Sequence, residues 1–176
     1  MNLRNMKETE LKSYLDKFLE PDFFFAKEVK GTHIVEEVTV IADYILRPKS
    51  HLVENGFDDV YFAIEVKSPA VKHPNSQYRK VVVQAASYVD SLFSDKRPAF
   101  TLIFPDHNCF RPESNAGQYF EVHHYFHIAH YFNVGDFRIN QKKDRWCIWF
   151  GGGRYYCSSR GKGTHNVTKR YVGNIS

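Results

Sequence analysis

Leu11, Leu15, Phe18 and Leu19 recur every three or four residues in KETELKSYLDKFL, the period of an amphipathic helix. Thr9 and its acidic neighbours mark the start, and Pro21 marks the stop. FFFAKEV and HIVEEVTVIADYILRP are rich in β-branched and aromatic residues and predict two strands. The polar stretch KSHLVENGFDD carries an Asn-Gly signal and predicts a loop. YFAIEVKSP alternates as a strand, with Phe62, Ile64 and Val66 on one face and Ala63, Glu65 and Lys67 on the other. Pro69 closes it. NSQYRKVVVQAASYVDSLF predicts a second helix with an apolar stripe through Tyr78, Val81, Val82, Ala85, Tyr88, Val89 and Leu92. AFTLIFP is wholly apolar and predicts a buried strand. GQYFEVHHYFHIAHYF has helical spacing, with Gly135 beyond its end. RWCIWF and RYYCSS flank a Gly-Gly-Gly turn and predict a hairpin. The order helix, three strands, helix, strand, helix, hairpin predicts an α/β fold, a mixed central sheet flanked by helices, as a single domain over residues 1–157. Residues 158–176 predict a basic C-terminal tail.

Composition adds limits. Apolar residues are 43% and aromatic residues 16%, a globular balance. No apolar run reaches the length of a membrane span, and MNLRNMKETELKSYL lacks the apolar segment of a secretory signal. Cys109, Cys147 and Cys157 are an odd number without CxxC spacing, which predicts a reducing, intracellular (cytoplasmic) setting without disulfides. Charge is uneven: of the net +4, residues 136–176 carry +7 and residues 1–135 carry −3. A basic end suits a polyanionic partner, and it equally suits a solvated tail.

Glu65 and Lys67 share one face of their strand, and the preceding strand sets Asp43 among apolar residues in VIADYIL. Consecutive antiparallel strands usually pair. Folding the two about Glu54-Asn55-Gly56 puts residue 43 opposite residue 65. Two carboxylates so placed repel unless cations neutralise them. Lys67 is one such cation, and hard oxygen donors suit Mg²⁺ or Mn²⁺ as another. The same residues also fit a charged patch on a solvated sheet face. His123, His127 and His130 recur at helical spacing beside His124, which fits either zinc binding or a polar stripe; no cysteine or carboxylate completes a zinc site. Lys72, His73, Arg79 and Lys80 follow the strand and fit either phosphate contacts or plain surface. In the tail, Arg160, Lys162, Lys169 and Arg170 stand near Tyr155, Tyr156 and Tyr171, a mixture that suits nucleic acid. Trp146 and Trp149 fit the core of the hairpin.

IADYIL, FAIEVKSP and QAASY together resemble the PD-(D/E)xK nuclease superfamily, above all the nuclease domain of type I restriction enzyme motor subunits, and more distantly RecB-like nucleases. The resemblance spans Glu10 to Phe104. It implies a restriction-endonuclease-like core and a metal-dependent nuclease acting on DNA. It implies Asp43 and Glu65 as metal ligands, the Val66 carbonyl completing the shell, and Lys67 serving the attacking water. The family's QxxxY signature falls on Gln84, which would hold Lys67 or the water, and on Tyr88, which would bond a phosphate or pack the helix. A first-helix glutamate is expected too, at Glu10, with Glu8 and Glu20 as rivals. The chain departs from the pattern where Ala42, not proline, precedes Asp43, and it lacks the cysteine cluster of some RecB-like relatives. RNA cleavage by the same metal site, and a non-cutting module that grips nucleic acid or protein, are the rival readings. A homodimer or larger complex is compatible with each.

Overall fold

A computed structural model describes residues 1–112 and 116–167. The elements are α1 (Glu8–Leu19), β1 (Phe23–His33), β2 (Thr39–Pro48), α2 (Ser50–Glu54), β3 (Phe62–Val66), α3 (Pro74–Tyr88), β4 (Ser91–Leu92), β5 (Thr101–Phe104), α4 (Ala116–Ala129), β6 (Val134–Asn140), β7 (Arg145–Phe150), β8 (Gly153–Cys157) and β9 (Gly161–Lys162). Short 3-10 turns occupy Leu3–Asn5, His107–Phe110 and His130–Phe132. The strands form one mixed sheet in the order β4-β1-β2-β3-β5-β6-β7-β8-β9. β3, β5 and β6 run parallel at its centre, and the remaining pairs are antiparallel. The expected α/β class with a mixed sheet flanked by helices is what forms, and the sheet is open.

The two faces are covered differently. Leu11, Leu15 and Leu19 of α1 are fully buried against Tyr44, Ile64 and Leu102. This face continues into an aromatic cluster in which Phe62 stacks on Phe100 at 4.9 Å and Trp146 on Phe137 at 5.3 Å. On the other face Tyr78, Val81, Val82 and Ala85 of α3 and Val122 and Phe126 of α4 pack on Ile103 and Val134. α3 can begin at Pro74 because proline at the first helical turn removes an N–H that has no partner there anyway.

Four expectations are corrected here. The stretch after Asn133 is a strand: β6 joins the sheet beside β5 although Gly135 reads as the end of a helix. Part of the KSHLVENGFDD loop is the short helix α2, so the connection is not a tight turn. Cys147 and Cys157 are directly opposed on β7 and β8, with Cα atoms 4.1 Å apart, and they form a disulfide. Antiparallel register, not spacing in sequence, brings them together.

The fourth is the boundary at Cys157/Ser158, which does not end the fold. β9 pairs with β8, the Gly163 N–H donates to the Tyr155 carbonyl at 2.7 Å, His165 stacks on Phe150 at 4.6 Å and Val167 packs on the core. Residues 168–176 of the expected tail lie outside the described residues.

A Cβ on Gly163 would lie 2.0 Å from the Arg154 carbonyl oxygen, a backbone atom that cannot swing away. Gly163→Ala is therefore expected to lower the melting temperature by several degrees, an overpacking cost of about 1–3 kcal/mol. Ending the chain after Cys157 is expected to lower it further. Two unchanged thermal melts would place residues 158–167 outside the cooperative fold.

Candidate active site

The register of β2 on β3 builds the site. Tyr44 pairs with Ile64, Ile45 with Ala63 and Leu46 with Phe62, and one more step sets Asp43 opposite Glu65. The same step leaves the backbone ladder and substitutes a side chain: the Val66 N–H donates to Asp43 Oδ2 at 2.7 Å. An N–H and C=O of one residue face the same edge of an extended strand, so the Val66 carbonyl is turned to the same side. Asp43 is 7% exposed and Glu65 1%, so both carboxylates are held away from bulk water.

Cations from two elements meet them. Lys67 Nζ lies 3.3 Å from Glu65 Oε1 and 3.6 Å from Glu8 Oε2. Lys12 Nζ reaches Asp43 Oδ1 at 2.5 Å, Glu28 Oε1 at 2.6 Å and Glu8 Oε1 at 3.5 Å. Burial works against the charge on Lys12, but its bonds to Asp43 and Glu28 outweigh that and raise its pKa. Lys67 behaves likewise: burial opposes its charge, Glu65 and Glu8 favour it more, and the net shift is upward. Both lysines stay ammonium. Glu28 takes a left-handed φ of 51° in the middle of β1, a conformation rare for a residue with a side chain.

Glu65 is the stressed member. Burial, then repulsion from Asp43, raises its pKa from 4.5 to about 7, although Tyr88 and Lys67 pull the other way. The hydrogen inventory agrees. The Tyr88 oxygen lies 2.6 Å from the Ile41 carbonyl and 2.7 Å from Glu65 Oε2, and it accepts from Gln84 Nε2 at 2.8 Å. One hydroxyl hydrogen serves only one of those two acceptors. A proton on Glu65, donated to the Tyr88 oxygen, satisfies all three contacts.

Asp43, Glu65 and Lys67 thus converge as expected. Other residues stand elsewhere. Tyr88, expected either to bond a phosphate or to pack the helix, is buried, with its hydroxyl engaged inside the wall; it positions Glu65. Gln84 bonds Tyr88 rather than Lys67. Glu10 accepts from the Lys7 N–H at 2.7 Å as a helix cap and does not enter the site; its rival Glu8 does. Lys72, Arg79, Lys80 and Arg160 are exposed. Lys162 is exposed too and pairs with Asp58 at 3.3 Å. Lys169 and Arg170 lie outside the described residues. The histidine stripe does not converge on a point: His123 and His127 touch through their Nε2 atoms at 2.9 Å, while His130 Nδ1 bonds the His127 carbonyl. Trp146 is a core residue, as expected, whereas Trp149 is half-buried beside a pocket.

Sequence reasoning missed Lys12 and the third buried acid of the sheet. Lys12 stands one helical turn from Glu8, so the i, i+4 spacing was the available signal. Asp136 of β6 pairs with Ile103, which pairs with Glu65, so the two acids lie in one row two strands apart. Among the described residues, Asp106, His107 and Asp136 form the group of three whose potential ligand atoms all lie within 4.8 Å of one another.

The donors of the β2–β3 site fit a hard divalent cation: two buried carboxylates and a carbonyl, with charge that the fold leaves partly uncompensated at Glu65. Compared with protein-family models, with curated proteins and with solved structures, the chain finds no match in any of the three.

An unfolded chain ionises Glu65 near 4.5 and the fold only near 7. Between those values the native state binds more protons, so stability falls as pH rises through that window. Glu65→Gln, which never ionises, is expected to melt with the wild type near pH 4 and about 5 °C or more above it at pH 8. A difference that does not change with pH would reject burial as the source of the shift.

Proposed function

We propose that the chain is a divalent-metal-dependent nuclease with a restriction-endonuclease-like core of the PD-(D/E)xK kind, hydrolysing phosphodiester bonds in DNA. One observation carries the reading: Asp43 and Glu65 stand opposite each other where the pairing of β2 with β3 ends, buried, with Lys67 beside them. Apolar strands do not keep two facing carboxylates for packing, because burying charge is costly unless a cation meets it.

Asp43, Glu65 and the Val66 carbonyl would hold the ion. A bound Mg²⁺ or Mn²⁺ supplies charge neutralisation at the phosphate and lowers the pKa of its water. The protein's own residues do the remainder. Lys67, held as ammonium by Glu65 and Glu8, is a donor and not a free base. It orients the attacking water and meets charge that develops on the phosphate. Tyr88, itself fixed by Gln84, holds the Glu65 carboxylate in one orientation. Arg160, Lys162 and the basic residues beyond position 167 supply cations for the polymer backbone.

Lys12 favours a second reading. Its ammonium already sits on Asp43 at 2.5 Å, so the carboxylates are partly neutralised from within. A module that binds nucleic acid or protein without cutting would use that arrangement as it stands. The two readings separate on one substitution. If Lys12 competes with the ion, Lys12→Met tightens Mn²⁺ binding measured by calorimetry.

The activity test offers plasmid, linear duplex, single-stranded DNA and RNA, each with Mg²⁺, Mn²⁺ or EDTA. DNA is expected to be cut with metal and not with EDTA. Asp43→Asn is expected to lose both metal binding and cleavage. Lys67→Met is expected to keep metal binding and lose cleavage. Cleavage that persists in EDTA rejects the metal mechanism, and failure of every substrate together with absent Mn²⁺ binding leaves the binding module.

A further inference from the structure

Beyond α3 from the carboxylates lies a second cavity, of about 370 Å³. Its walls come from the His107–Phe110 turn, α4, β6, β7 and the Gly151–Gly153 turn. Arg111, Arg138, His107, His123 and His127 line it, and among the described residues no carboxylate does. Gly151 lets the turn close on α4: a Cβ there would lie 2.6 Å from both the Cα and the carbonyl oxygen of His127.

Among the described residues, the acids beside this cavity, Asp136 and Asp106, are already engaged. Asp136 is fully buried and accepts from the His107 N–H at 3.0 Å, from His107 Nδ1 at 2.6 Å and from the Tyr78 hydroxyl at 3.3 Å. Its distance to Arg138 Nη2 is 3.9 Å. Asp106 accepts from the Asn108 N–H at 3.0 Å and from Asn108 Nδ2 at 2.6 Å. The cluster of Asp106, His107 and Asp136 is therefore closed by its own hydrogen bonds, and a cation is not what the cavity asks for. His107 gives its Nδ1 hydrogen to Asp136, the assignment a carboxylate partner requires, and its Nε2 accepts from Arg111 at 3.2 Å.

The cationic wall, by contrast, keeps spare capacity. Arg111 Nε, Arg138 Nε and His123 Nδ1 are buried and have no hydrogen-bond partner among the described residues. A buried donor without an acceptor is costly, and the two guanidinium Nε–H groups beside one cavity call for a shared partner. The guanidiniums are held in place for it. Arg138 lies between the rings of Phe126 and Trp149, 5.1 Å from each, and Arg111 lies 4.3 Å from the Tyr119 ring centre. Burial first, then the neighbouring His127, His107 and Arg111, depress the His123 pKa, and an anion beside the ring would reverse that balance by making Nδ1 a donor.

We propose that this cavity binds a phosphate group, gripped by Arg111 and Arg138 with His123 beside the glycine turn. Planar guanidiniums offer paired donors that match the oxygens of a phosphate. The inference does not rest on the metal site, since it is read by binding alone.

The experiment titrates the full chain with inorganic phosphate by calorimetry, with tryptophan emission as a second signal because Trp149 lines the cavity. Saturable binding is expected. Arg111→Gln is expected to weaken it about tenfold or more, the loss of one charged hydrogen bond. Arg47→Gln, at a surface arginine paired with Asp59, is expected to leave it unchanged. If Arg111→Gln lowers the melting temperature sharply, His123→Asn carries the test at a half-buried position. Competition separates the sources of phosphate. A 5′-phosphorylated oligonucleotide that displaces inorganic phosphate where its 5′-hydroxyl twin does not identifies a terminal monoester; equal displacement by both identifies the backbone diester. Absence of saturable binding, or equal weakening by Arg111→Gln and Arg47→Gln, overturns the proposal.

Discussion

A single hydrogen bond fixes the geometry on which the rest depends: the Val66 N–H donating to Asp43 Oδ2. It replaces the next backbone rung between β2 and β3 with a side chain. The exchange does two things at once. It satisfies a buried amide that would otherwise be left without a partner at the end of β3. It also locks a carboxylate-group oxygen of Asp43 at the point where the pairing of β2 and β3 ends. A slip of one residue in this pairing would turn Ala63 and Glu65 toward α1 and push Ile64 and Val66 onto the α3 face. Both apolar layers would be lost with it, so the packing of α1 and α3 protects the register that the carboxylate pair needs.

α3 then ties the centre of the sheet together. Its Tyr78 hydroxyl meets Asp136 and its Tyr88 hydroxyl meets Glu65, ten residues apart and about 15 Å along the helix. Each tyrosine brings one hydroxyl to a buried acid that would be costly to leave bare. Between them the stripe of Val81, Val82 and Ala85 holds the helix to β5. The row Glu65–Ile103–Asp136 sets the two acids two strands apart, flanking one apolar strand while the helix crosses above it.

Much of this was legible before any coordinates. Helical periods located α1 and α3, β-branched and aromatic content located β2, alternation located β3 and an apolar run located β5, and the fold about residue 54 set Asp43 opposite Glu65, as the register has it. That succeeded although α2 intervenes, because a hairpin-like register depends on where two strands meet and not on how the chain travels between them. β6 was not legible. Its acid is buried and paired, and its glycine sits in a strand, so NVGDFRIN follows neither the alternating pattern nor the apolar run. With β6 unseen, Asp136 entered only as charge. Glu8 and Glu10 differ by two positions on a helix and so point to different sides, and only α1's docking on the sheet decides between them. The cysteine pair was hidden for a related reason: cross-strand neighbours have no signature in sequence separation.

Glu28 has a second effect, distant from chemistry. β1 is eleven residues long, and β4 covers its outer edge only at Thr32 and His33. A long open edge invites another chain to add a strand. The left-handed φ at Glu28 interrupts that edge near its middle, and the charged Lys27 and Lys30 stand on either side. The kink that carries a carboxylate to Lys12 therefore also breaks the regular run of amides a neighbouring molecule would need, and it guards the sheet against edge-to-edge aggregation.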